Sequence, residues 1–89
     1  MSPAADEQEG SGMPLEIAQR VDAKGLACPM PIVKTAQAVK SMVSGQLLEV
    51  LATDAGSTKD FAAWSKSTGN ELVESSVEAG VYRFVLRRK

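Results

Sequence analysis

The sequence predicts a two-layer α/β (α+β) sandwich of order βαβαββ, a four-stranded mixed sheet with two helices on one face. Three observations predict it. Two stretches place apolar residues at helical spacing, four short stretches are alternating or continuously apolar as strands are, and the last two of these are separated by Ala79-Gly80 alone, a hairpin signal. Right-handed crossovers then place both helices on the same face of the sheet. With 89 residues, 44% of them apolar and 24% charged, the chain has the size and composition of one soluble globular domain with a modest core.

The elements follow in order. Between residues 16 and 22, Ile17 and Val21 fall on one side and Glu16, Arg20 and Asp22 on the other, the alternation of a first strand. AKGLACPMP follows as a turn, with Gly25 available for unusual backbone angles. Over residues 31–43, Ile32, Ala36, Val39 and Val43 form one helical stripe, Lys34 and Lys40 lie off it, and Ser44-Gly45 is the expected stop. Residues 46–53 hold a nearly continuous apolar run, consistent with a strand buried on both faces. A second helix starts near Ser57 or Thr58; if Ser57 is the N-cap, Asp60 three residues on makes a weak capping box, Phe61, Ala62 and Trp64 supply the apolar face and Gly69-Asn70 stops the helix. Residues 71–78 and 81–87 are the last two strands, with Tyr82, Phe84 and Leu86 on one face of the final strand and Arg83 and Arg87 on the other. If the first two strands run parallel, both strand-to-helix turns lie on one edge of the sheet. Cys28 and the turn of residues 54–57 are then neighbours.

Composition excludes several chemistries. There are 10 basic and 11 acidic residues, one cysteine and no histidine. Without histidine there is no Ser-His or Cys-His pair and no His-ligated metal. A single cysteine allows no internal disulfide and no CxxC pair, so sulfur chemistry at Cys28 involves a second molecule. No cofactor and no metal are expected. Residues 1–14 carry Asp6, Glu7 and Glu9 and no basic residue, and are expected to be a disordered acidic tail. They lack the basic and apolar regions of a signal peptide, and no apolar run approaches the roughly 20 residues of a membrane span. The cytoplasm, where a lone thiol stays reduced, is the expected compartment.

Pro29 pushes Cys28 away from helical angles and suits the first helical position, so Cys28 is expected at the N-cap of the first helix. The helix dipole and the free N–H groups of Met30 and Ile32 would there favour the thiolate and lower its pKa. The proline-framed turn keeps the sulfur off the core stripe, which begins at Ile32. With no neighbouring base and no resolving cysteine, accepting and donating a group between molecules fits better than hydrolysis or dithiol oxidation.

Asp22, Gly25, Leu26, Cys28, Pro29 and Pro31, spaced Asp-x-x-Gly-Leu-x-Cys-Pro-x-Pro, resemble the signature of the TusA/SirA-like sulfur-carrier family. The similarity continues through Asp54, Asp60, Gly69, Glu71-Leu72, Gly80 and Tyr82-Arg83-Phe84, and residues 15–89 would form the TusA-like domain. The resemblance implies that Cys28 takes up sulfane sulfur as a persulfide and passes it on. It also implies a donor protein (a rhodanese or cysteine desulfurase) and an acceptor protein (DsrE-like, heterodisulfide-reductase-like or a thiouridylase). Two positions differ from the pattern: Ala27 stands where members acting in tRNA thiolation often have a basic residue, and Ala55 where proline is common.

Lys24, Met30, Asp54 and Asp60 are candidate partner-facing residues. Against these roles stand plainer ones: a turn-entry Asp22 bonding nearby backbone, helix-start capping by Asp60, solvated Lys34 and Lys40, and Trp64 and Phe61 in the core. Arg83, Arg87, Arg88 and Lys89 form the most basic segment, expected to be solvated charges on an edge strand and too small a face for direct RNA binding. The alternative to a carrier is a non-enzymatic regulatory or adaptor module that docks a partner through the Cys28 edge.

Overall fold

The alternating and helical patterns resolve, in the computed structural model, into six elements: β1 (Ile17–Ala23), α1 (Met30–Lys40), β2 (Leu47–Ala52), α2 (Ser57–Thr68), β3 (Glu71–Glu78) and β4 (Val81–Arg87). The structure describes residues 16–89; the expectation for the acidic tail lies outside them. The strands form one mixed sheet in the order β1-β2-β4-β3, with β1 parallel to β2 and β4 antiparallel to both β2 and β3. The βαβαββ sandwich is the one the sequence predicts.

The core lies between the sheet and the helices. Leu48, Val50 and Ala52 of β2, Phe84 and Leu86 of β4, Ala23 of β1, Met42 after α1 and Phe61 of α2 are all buried in it. Phe61 stacks on Phe84 with ring centroids 4.5 Å apart, and Trp64 meets Phe61 edge-on at 6.5 Å. Phe61 is thus the anchor that seats α2 on the sheet.

Ile32 and Val39 of the expected α1 stripe pack against the core, but the most deeply buried line of the helix lies beside them. Its buried residues are Pro31 and Thr35, with Met42 buried just beyond; Ile32, Ala36 and Val39 are half-buried and Val43 is 63% exposed. A count of apolar residues misses this because a threonine sits on the true core line. Thr35 can be buried because its hydroxyl donates to the Pro31 carbonyl at 2.8 Å, within its own helix. The helix also ends earlier, capped at Ser41, and Gly45 serves the following turn instead, its N–H donating to the Arg88 carbonyl.

In α2 the cap is Gly56, not Ser57. Ser57 is the first helical residue, is buried, and its hydroxyl is without a hydrogen-bond partner. Ala62 faces solvent rather than the core. Gly69 closes the helix at φ +82°, donating to the Ser65 carbonyl, as its sequence position suggests. The β3–β4 hairpin turns at Ala79 and Gly80, both at positive φ, the backbone of a tight two-residue loop.

The C-terminal charges correct a second expectation. β4 is a central strand, not an edge, because β3 returns outside it. On the sheet face away from the helices, Arg83 is held by Glu49 of β2 and Glu74 of β3, Arg20 of β1 pairs with Glu49, and Arg87 pairs with Glu71. The Glu49 and Glu74 carboxylates hold the Arg83 guanidinium above its usual range, the Glu49 hydrogen bond contributing most, and outweigh the opposing effect of its partial burial. Arg88 donates to the Val39 carbonyl, and the Lys89 amide to Asn70 Oδ1. No helix among the described residues is long and apolar enough to cross a membrane.

Candidate functional site

Because β1 and β2 are parallel, the β1–α1 and β2–α2 turns emerge at the same edge of the sheet. The first turn is fixed by short-range bonds. Asp22 Oδ1 accepts the Lys24 amide at 3.1 Å, and the Leu26 amide donates to the Ala23 carbonyl at 3.2 Å. Gly25 adopts φ +81° and its amide donates to Thr53 Oγ1 at 2.8 Å, which ties the first turn to the second. The Leu26 side chain packs on the core. Asp22 therefore plays the backbone-bonding role.

Beyond Leu26 the chain holds Cys28 at the surface. The Cys28–Pro29 peptide is cis, the N-cap of α1 is Pro29, and Pro31 sits in the first turn, where its missing N–H leaves no intrahelical bond unmade. Cys28 thus lies one residue before the cap rather than at it as expected. The Met30 amide, expected beside the sulfur, donates to the Ala27 carbonyl at 2.9 Å, and Val33 donates to the Pro29 carbonyl at 3.1 Å.

The second turn brings the sulfur's nearest polar partner. Asp54 Oδ2 accepts the Gly56 amide at 3.2 Å and its carbonyl accepts the Ser57 amide, which starts α2 so that Asp60 faces the first turn. The Cys28 thiol donates to Asp60 Oδ2 at 2.6 Å. This hydrogen bond, with some loss of hydration and the negative charges of Asp60 and Asp54, pushes the Cys28 thiol above its ordinary pKa. The expected lowering is therefore reversed. A full carboxylate charge in contact outweighs the roughly half charge of a helix N-terminus whose cap is a different residue.

Between α1 and α2 an open groove of about 320 Å³ runs from Cys28 past Pro29, Ile32 and Asp60 to Trp64 and Ser67. Trp64 packs against the core and also forms part of this wall, a role that its helical spacing does not reveal. Met30, the first residue of α1, is 44% exposed. Lys24 is exposed, and none of the ion pairs among the described residues involves Lys24, Asp54 or Asp60. Gly25, Cys28, Asp54 and Asp60 thus meet at one edge, while Lys34 and Lys40 are exposed along α1. Thr53, which joins the two turns through its bond to Gly25, has no sequence motif to mark it.

Comparison with known proteins matches these features to one family. The family model described as sulfurtransferase TusA covers residues 19–88. The sulfur carrier protein TusA of Allochromatium vinosum is 50% identical over 70 residues, 79% of this chain and 92% of that protein. The putative sulfur carrier protein YrkI of Bacillus subtilis is 52% identical over 68 residues, covering 76% and 91% of the two chains. The crystal structure of a SirA-like protein from Desulfitobacterium hafniense shares the fold, with a TM-score of 0.69 at 21% identity over 78% of this chain and 95% of the other. The chain belongs to the TusA family.

Proposed function

We propose that this protein is a sulfur carrier in which Cys28 accepts sulfane sulfur as a persulfide and yields it to a second protein. The observation that carries this is the placement of the chain's one sulfur nucleophile, exposed at the rim shared by both strand-to-helix turns. A partner's reactive sulfur reaches such an atom without rearrangement of the fold. In loading, Cys28 Sγ attacks the outer sulfur of a donor persulfide; the new S–S bond forms as the donor's S–S bond breaks. The electron pair of the broken bond leaves on the donor's inner sulfur, which takes up the proton lost by Cys28. No oxidant or reductant is consumed, and unloading repeats the exchange with an acceptor thiol.

The donor and acceptor are proteins in this proposal: a rhodanese or cysteine desulfurase on one side, a DsrE-like, heterodisulfide-reductase-like or thiouridylase protein on the other. Asp22, Gly25, Leu26, Pro29 and Pro31 position the cysteine, and Lys24, Met30, Asp54 and Asp60 border the surface a partner meets. Cys28 acts in the cytoplasm, where it stays reduced between cycles. Direct binding of nucleic acid is not part of the proposal, since Arg83 and Arg87 are already held by carboxylates.

Incubation with an inorganic polysulfide followed by intact mass spectrometry tests it. The expected result is a gain of one sulfur atom that a thiol reductant removes and that Cys28→Ser abolishes. A sulfur adduct retained by Cys28→Ser would overturn the assignment. In cells, Cys28→Ala is expected to lose function; full function would favour the adaptor role instead.

A further inference from the structure

The proposal that Cys28 carries sulfur leaves Asp60 without a task, yet Asp60 makes the closest polar contact of the site. Its Oδ2 lies 2.6 Å from Cys28 Sγ, across from one strand-to-helix crossover to the other. Helix capping does not account for it, because the α2 cap is Gly56 and the Asp60 amide donates to the Gly56 carbonyl. No ion pair among the described residues engages it. Among the described residues, the one hydrogen bond its side chain makes is to the sulfur.

We infer that Asp60 is a positioning residue that holds the thiol of the empty carrier against α2 and lets go of it once sulfur is bound, an inference that rests on the carrier role of Cys28. The reason is stoichiometric. A thiolate-free sulfur, Cys28–SH, has one hydrogen to donate, and Asp60 accepts it. When Cys28–SH and a donor R–S–SH exchange to give Cys28–S–SH and R–SH, Sγ gains its bond to the outer sulfur and loses its hydrogen. The inner sulfur then has nothing to donate, and the contact that pins it is gone. The outer sulfur, when ionised, is repelled by the Asp60 carboxylate and turns from α2 to the open side of the groove, where an acceptor approaches. The charged groups acting on Sγ are Asp60 of α2 and Asp54 of the turn before it, both negative, so the empty sulfur is held as thiol and the loaded one is pushed outward.

The test compares wild type with Asp60→Asn, Asp60→Ala and Asp60→Glu, each first shown to melt as a folded domain. For the empty protein, thiolate absorbance is followed against pH and alkylation by iodoacetamide is timed at neutral pH. Asp60→Asn and Asp60→Ala are expected to ionise at lower pH, and Asp60→Glu to restore part of the hold. A tenfold gain in thiolate gives only about a threefold gain in rate, because a less basic thiolate is a weaker nucleophile. Alkylation is therefore expected to rise about twofold or more. For protein loaded with polysulfide, alkylation of the outer sulfur is expected to change less than about twofold between the same variants. Unchanged ionisation and alkylation of the empty thiol, or equal changes in empty and loaded forms, would overturn the role of Asp60. Failure of wild type to take up sulfur would instead remove the carrier role, which the empty-thiol measurements do not depend on.

Discussion

The two strand-to-helix crossovers of this fold start from the same device and use it differently. In each, an aspartate accepts an amide two residues on: Asp22 from Lys24, Asp54 from Gly56. After that they diverge. The β2–α2 turn closes at once, with Ser57 already helical and buried, and Phe61 one turn later locked into the core. The β1–α1 turn runs on through Gly25, Leu26 and Cys28 before Pro29 caps a helix whose fully buried residues are only Pro31 and Thr35. One crossover is built as a platform; the other presents a sulfur. Two bonds join them, Gly25 to Thr53 and Cys28 to Asp60, so the presenting turn takes its shape from the platform.

The largest expected effect breaks the platform. Phe61→Ala removes a fully buried ring stacked on Phe84 and is expected to cost about 3–5 kcal/mol in a urea denaturation series. Ile32→Ala, at a half-buried site on α1, is expected to cost about 1–2 kcal/mol. Equal losses at the two sites would remove the distinction between anchored and presenting helix. A smaller effect tests the link between the turns. Gly25→Ala meets no atom within 4 Å of its new Cβ, so its cost is the strain of φ +81° alone, roughly 1–2 kcal/mol. Thr53→Val keeps the shape but leaves the Gly25 amide without its acceptor, a loss of about 1 kcal/mol. The two changes act on one contact, and a double-mutant cycle is expected to show them less than additive.

Much of the frame was legible in the sequence. Alternation marked the strands, Ala79-Gly80 the hairpin and Gly69 the end of α2, because each is a local rule with a local cause. The exposure of Cys28 and its nearness to the second turn followed from the prolines and from parallel pairing of β1 and β2. What was not legible depends on contacts distant in sequence or on polar residues in apolar places. Thr35 sits on the buried line of α1 by bonding its own backbone, which apolar counting cannot register. The central place of β4, and with it the pairing of Arg83 with Glu49 and Glu74, is set by how the hairpin docks on β2. The direction of the Cys28 shift needed the rotation of α2, since only that rotation decides whether Asp60 caps its helix or meets the sulfur.

The smallest expected effect separates the two aspartates that begin the turns alike. Asparagine keeps a side-chain oxygen, so Asp22→Asn and Asp54→Asn should each preserve the bond to the amide two residues on and leave stability within about 0.5 kcal/mol. Their charges reach different places. Asp54 is one of the negative groups that raise the Cys28 thiol, behind the Asp60 hydrogen bond and charge, so Asp54→Asn is expected to lower the pH at which the thiol ionises by less than Asp60→Asn does. Alkylation at neutral pH should rise less than about twofold. Asp22, bonded within its own turn, should leave both unchanged. The sign carries into stability. A thiol that ionises at higher pH when folded than when unfolded supports the fold below the unfolded midpoint, and that support fades as pH rises through the folded one. Comparing alkylation against pH for native and urea-unfolded protein is expected to show the native curve displaced upward, with the displacement reduced in Asp54→Asn and intact in Asp22→Asn. Equal reductions in the two variants would mean that the presenting turn sets the sulfur's proton affinity for itself, and that the platform's carboxylates act no differently from any surface charge.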